Sequence, residues 1–201
     1  MPTNDPPETH PWKYHIPPLA HALVIGTFPT AAKNRSFDFF YPNKRNLFWK
    51  VMADLAGSSL PAFEAPLAAV RLRKEILDGL NVGITDMGYR VRRKDDASTD
   101  EKLEMIEPMP IIDLLKLYPT IQTIVLTSTT GRVSAARWLT HYLKGQDLNI
   151  RMPKGRKPLS FAMELAGRKV TVWLLHSPSP RAANRIPFVD LCQMYKHVLV
   201  R

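Results

Sequence analysis

The sequence predicts a single α/β domain of three layers, a central, mostly parallel sheet of four strands lying between two layers of helices. Short apolar runs rich in Val, Ile and Leu recur along the chain, and segments with helical spacing lie between them. That alternation implies parallel pairing and strands buried on both faces. A length of 201 residues is enough for one sizeable core.

The chain opens on a proline-rich segment, residues 1–18, expected as an extended arm packed on the surface of a domain that spans 19–201. Strands are expected at "ALVIGT" (22–27), "NVGITD" (81–86), "IQTIVLTS" (121–128) and "KVTVWLLH" (169–176). Helical spacing marks 45–57, 62–80, 110–119, 132–145 and a last helix in "PFVDLCQMYKHVLV". Gly57 and Gly145 stand where a helix would stop, Pro61 and Pro110 where one could start. Residues 87–104 read as a long charged loop, and 149–168 as a basic excursion with the character of a hairpin.

Composition narrows the function. Hydrophobic residues make up 45% and charged residues 23%, which is ordinary for a globular protein and argues against disorder. No apolar run approaches the roughly 18 residues of a spanning helix, and "MPTNDPPETHPWKYH" lacks the features of a signal peptide. The expectation is a cytoplasmic monomer with no membrane partner. Cys192 is the only cysteine, so an intrachain disulfide is excluded, and its helical spacing reads as a packed core thiol. The histidines show no metal-ligand spacing, and neither a metal nor a cofactor is expected. A nucleotide or sugar-phosphate enzyme is disfavoured, because the chain has no Gly-rich phosphate loop.

Lys and Arg number 28 against 18 acidic residues, a net charge of +10, which suggests a polyanion partner. Placement sharpens the suggestion. In open parallel sheets, ligands bind outside the carboxyl ends of the strands. Just past those ends lie Arg35, Lys44, Arg45, Arg90, Arg92, Arg93, Lys94, Arg132, Arg181 and Arg185, with the hydroxyls of Ser128, Thr129, Thr130, Ser177 and Ser179. Such an edge suits a phosphate backbone. "FDFFYPNKRNLFW" adds aromatic residues beside the first strand end. Phe48 and Trp49 read as core, whereas Phe40 and Tyr41 could wall a pocket for a flipped base.

Together, "LVIGTFPT", "FFYPNKRNLFW", "VGITDM" and "HSPSP" resemble the uracil-DNA glycosylase superfamily, in order over about residues 22–185. "GTFP" followed by "YPNKRNLFW" looks most like the hypoxanthine-DNA glycosylase branch, and "GITDM" is similar to the mismatch-specific uracil or thymine glycosylases. The resemblance implies a monofunctional glycosylase that flips a deaminated base, uracil or hypoxanthine, out of DNA. It would hydrolyse the N-glycosidic bond and leave an abasic site, without metal or covalent intermediate.

The resemblance also implies roles. His176 would donate to the departing base, with a structural strand-end role as the rival reading. Ser177 and Ser179 would grip phosphates. Arg181 would enter the space left by the base or bind phosphate itself. Lys44, Arg45 and Arg132 complete the expected DNA contacts, and Phe28, Phe40 and Tyr41 the base pocket. The turn Gly26-Thr27-Phe28-Pro29 departs from the better-known branches, since Phe28 stands where an Asp or Asn would orient water. Asn46 is the proposed replacement, with a helix cap as an equal alternative. Asp86 follows a strand directly and is preferred over Asp38 for ordering the site. The missing turn carboxylate also admits a second class, a catalytically silent DNA-binding protein of the same fold.

Overall fold

The computed structural model describes residues 5–182 and 185–201. In chain order the strands are β1 (Pro7–Thr9), β2 (Tyr14–His15), β3 (Ala22–Gly26), β4 (Val82–Asp86), β5 (Gly88–Arg93), β6 (Leu103–Pro108), β7 (Thr123–Leu126), β8 (Leu159–Leu165) and β9 (Arg168–Leu174). The helices are α1 (Phe48–Leu55), α2 (Pro66–Leu80), α3 (Ile111–Leu117), α4 (Ala135–Lys144) and α5 (Phe188–Leu199).

The four expected strands form and are parallel, side by side in the order β4-β3-β7-β9. The sheet is nevertheless six-stranded and mixed, not four-stranded. β2 adds antiparallel to β4 at one edge, and β8 adds antiparallel to β9 at the other. β8 is the basic excursion, now a hairpin whose two-residue turn, Ala166 and Gly167, has positive φ at both positions (52° and 75°). That geometry matches the right-handed twist of the flanking strands.

Successive side chains of the central strands enter opposite cores. Ala22 and Val24 of β3 face α1, α2 and α5, while Leu23 and Ile25 face α3 and α4. Burial on both faces is why these strands read as unbroken apolar runs. Helix α2 starts at Pro66, not near Pro61, and ends at Asn81 in the left-handed region (φ 52°). In α4, the Ser134 hydroxyl caps the start by accepting from the Arg137 N–H.

One other expectation is corrected. The supposed loop 87–104 contains β5, which joins β6 and β1 in a second, three-stranded antiparallel sheet. Its charges belong to the pairing: Arg90 faces Glu107 and Arg92 faces Glu104 across the two strands, each as an ion pair. The N-terminal arm is built into the structure: β1 pairs with β5, β2 with β4, and the His10 side chain between them is buried.

Candidate functional site

The carboxyl ends of β4, β3, β7 and β9 deliver Asp86, Gly26-Thr27, Thr127-Ser128 and the 175–182 segment to one edge of the sheet. The chain after β3 returns across this edge and brings Tyr41 with it. The Tyr41 hydroxyl bonds to Thr127 Oγ1 at 2.7 Å, and its ring stacks on Phe48 at 4.2 Å. A Cβ added to Gly26 would lie 2.1 Å from Asp86 Oδ1 and 3.0 Å from the Tyr41 hydroxyl oxygen. Only glycine lets both oxygens sit this close to the backbone.

Asp86 is oriented by the arm. Its Oδ2 is 3.0 Å from His10 Nε2. His10 Nδ1 accepts backbone N–H bonds from Trp12 and Lys13 at 3.2 and 2.9 Å, which fixes the Nε2–H tautomer, so the imidazole donates to Asp86. Oδ1 is then the oxygen left facing Gly26 and Tyr41. Burial, followed by the neighbouring Asp86 charge, holds the Tyr41 phenol well above its ordinary pKa, so the phenol keeps its proton.

The stretch between β5 and β6 lies over this edge as a strap. Lys33 pairs with Asp96 at 2.7 Å, the Asn34 amide donates to the Ser98 hydroxyl, and Arg93 donates to the Pro29 and Ala97 carbonyls. The strap carries Asp100, half-buried, whose Oδ2 accepts from the Ser128 hydroxyl at 3.4 Å. Burial pushes the Asp100 carboxyl up to about 6, and the Asp86 charge adds to that shift. The Thr27 and Ser128 hydroxyls work the other way. Thr27 Oγ1 stands near enough to favour the carboxylate, and this buried hydroxyl makes no hydrogen bond of ordinary geometry to the described residues. The next residue, Glu101, pairs with Arg181 at 3.2 Å and so ties the strap to the segment after β9.

His176 stands partly exposed beyond β9. Burial lowers its pKa from the usual histidine value, and the cations Lys157, Arg185 and Arg156 lower it further, so the neutral imidazole prevails at neutral pH. The Tyr195 hydroxyl holds the His176 carbonyl at 3.0 Å. Leu47 N–H donates to the Pro178 carbonyl at 2.9 Å, which joins the Asn46 stretch to the His176 stretch.

Several expected residues occupy other positions. Phe28 is 7% and Phe40 1% exposed, and both rings pack on His10, at 5.4 and 5.3 Å, instead of walling an open pocket. Tyr41 alone of the three reaches the polar edge. Asn46 Oδ1 accepts from the Phe48 N–H at 2.9 Å just ahead of α1, whose N-cap is Leu47 and not Asn46, so it satisfies one free N–H of the helix start and keeps its amide N–H groups as donors. Arg93 is buried in an ion pair with Glu8 at 2.7 Å and is structural. Lys44, Arg45 and Arg132 are exposed and hold no ion pair among the described residues. Ser177 Oγ accepts from the Ser179 N–H at 3.3 Å. Ala183 and Asn184 of the same segment lie outside the described residues.

His10, Asp100, Thr127 and Lys157 are absent from the residues expected at the site. The Lys157 ammonium, half-buried, donates to the Thr129 hydroxyl on the same edge. A carboxylate in a charged run and a histidine in a proline-rich arm carry no local signal. The nearest hint was the basic excursion itself, which supplies Lys157.

No family model matches the chain, and no curated protein matches it. A solved structure does: the solution NMR structure of a candidate uracil DNA glycosylase from Methanosarcina acetivorans, with a TM-score of 0.54 over 92% of this chain and 94% of that one. The likeness is one of fold. At 16% identity it establishes a shared mixed α/β architecture and leaves the chemistry to the residues.

Proposed function

We propose that the protein is a monofunctional DNA glycosylase that excises a deaminated base, uracil or hypoxanthine, flipped out of DNA. The single observation that carries this reading is the Asp86 carboxylate, held through one oxygen by His10 and presented by the other over Gly26, on the sheet edge that also bears His176. The shared architecture with a candidate uracil DNA glycosylase and the exposed cations Lys44, Arg45 and Arg132 support it.

Breaking the N-glycosidic bond develops positive charge on the sugar and negative charge on the base. Asp86 orients a water toward the sugar carbon and offsets the positive charge there. His176, neutral, donates a hydrogen bond to the base oxygen as charge builds on it. The bond electrons leave with the base, water adds to the sugar carbon, and the water's proton passes to solvent through the carboxylate. Asn46 contributes its amide N–H groups, and Ser177, Ser179 and Arg181 hold backbone phosphates beside the flipped nucleotide.

A catalytically silent DNA-binding protein is favoured by one arrangement, the engaged Asn46 Oδ1 together with buried Phe28 and Phe40. Labelled oligonucleotides carrying uracil, hypoxanthine, xanthine or mismatched thymine, treated with alkali after incubation, separate the two readings. The glycosylase reading expects release of one base, lost in Asp86→Asn and His176→Ala. Salt-sensitive binding without release from any substrate would establish the silent reading.

A further inference from the structure

The strap between β5 and β6 places a second carboxyl group at the site that the chemistry above does not use. Asp100 lies at the ends of β3 and β7, beside Thr27 and Ser128, and its neighbour Glu101 pairs with Arg181 of the segment that carries His176. The same turn makes two exposed ion pairs, Lys102 with Asp95 at 2.7 Å and Glu101 with Arg181 at 3.2 Å. Next to it, Thr27 is only 5% exposed and its hydroxyl has no partner among the described residues. A buried hydroxyl in this state costs free energy unless a ligand completes its hydrogen bonds.

We propose that Asp100 is a substrate-contacting residue of this site, presenting its carboxyl group, with the Thr27 hydroxyl, to the carbonyl and N–H edge of a flipped lactam base. The inference rests on the glycosylase reading for the identity of the ligand, and it names the part of the base that is read. A lactam edge, C=O beside N–H, is what deamination creates in uracil and hypoxanthine. A carboxyl group that keeps its proton matches that edge with two hydrogen bonds, donating O–H to the carbonyl and accepting from the N–H. The donated bond strengthens as the base leaves with negative charge, so this residue would act in turnover as well as in binding.

Burial favours the proton most, while the Thr27 and Ser128 hydroxyls favour the charged form. Asp86 at the end of β4 and Glu101 on the same turn oppose a second negative charge, and Tyr41 stands near as a neutral phenol. At about pH 6 and below, where Asp100 holds its proton, two carboxyl groups at one edge can therefore divide the work, Asp86 toward the sugar and Asp100 toward the base.

The test compares wild type, Asp100→Ala and Asp100→Asn across pH on a uracil or hypoxanthine duplex. A second duplex, carrying the same base on a non-cleavable 2′-fluoro sugar, is used for binding against undamaged DNA. Asp100→Ala is expected to lower kcat/KM by about tenfold or more near pH 6 and to reduce discrimination of the 2′-fluoro lesion by a similar factor. Asp100→Asn keeps donors and shape, so it is expected to retain most activity near pH 6 and to lose the wild-type decline at higher pH. A merely structural residue would not move that limb.

Cleavage that is indifferent to Asp100→Ala, or a basic limb unchanged in Asp100→Asn, overturns the proposal and leaves the glycosylase reading standing. Lesion discrimination that depends on Asp100 without any cleavage keeps the proposal and overturns the glycosylase reading. Neither cleavage nor discrimination overturns both.

Discussion

The stretches 41–48 and 176–182 meet at the bond between Leu47 N–H and the Pro178 carbonyl, yet they differ in the catalytic candidate each leaves free. In the first, Asn43 Oδ1 accepts from the Arg45 N–H, Asn46 Oδ1 from the Phe48 N–H, and the Tyr41 hydroxyl bonds to Thr127. In the second, Ser177 Oγ accepts from the Ser179 N–H and Arg181 pairs with Glu101, but the His176 imidazole bonds to no protein group among the described residues. One stretch starts a helix and must satisfy its backbone; the other leaves a strand end and has no such demand. Polar residues beside a site are thus of two kinds, those occupied by the fold and those free to meet a ligand.

The largest effect that tests this contrast is on turnover. His176→Ala is expected to lower kcat about a hundredfold with a much smaller change in DNA affinity, measured by single-turnover cleavage and by titration. Equal losses in both would place His176 with the occupied residues. Asn46→Ala is expected to do the reverse. It should cost about 1 kcal/mol of stability in urea unfolding, as the loss of one hydrogen bond to a helix-start N–H does, and Asn46→Asp should recover most of it. Turnover lost in Asn46→Asp at full stability would return Asn46 to the water.

A third measurement concerns the strap. The folded-state pKa of Asp100 is raised from 3.8 to about 6, so its carboxyl favours folding when protonated and opposes it increasingly as pH rises through that window. Asp100→Asn should therefore raise Tm relative to wild type above about pH 6 and leave the difference small below about pH 4. A constant difference at all pH values would mean that Asp100 does not titrate there. The smallest effect is at the rim. Arg45→Ala should reduce the slope of log affinity against log salt by about 0.9 with no change in stability. Removing the exposed Arg181–Glu101 pair should change stability by less than about 1 kcal/mol.

The four parallel strands were legible because burial on both faces leaves no choice but an apolar run. β5 was not, although "GYRVRR" alternates. Its outward arginines read as a solvated loop until Glu104 and Glu107 are seen opposite them. Among the aromatic residues expected at the base pocket, Phe28 and Phe40 were hard to read for a related reason. An aromatic ring next to a site looks the same in sequence whether it faces a ligand or the core, and Phe28 and Phe40 face the core around His10. His176 and Asp86 were legible as polar residues directly behind strands. His10 and Asp100 were not, because their partners, Asp86 for one and Thr27 and Ser128 for the other, are distant in the chain.

The contact between His10 and Asp86 spans 76 positions of sequence. During synthesis the histidine leaves the ribosome long before the strand that positions its partner, and β1 must also wait for β5. An incomplete chain would already carry the basic stretch around Lys44 and Arg45, able to touch nucleic acid, but not the aligned carboxylate. The polar edge that carries Asp86 would then be complete only after the central strands have assembled.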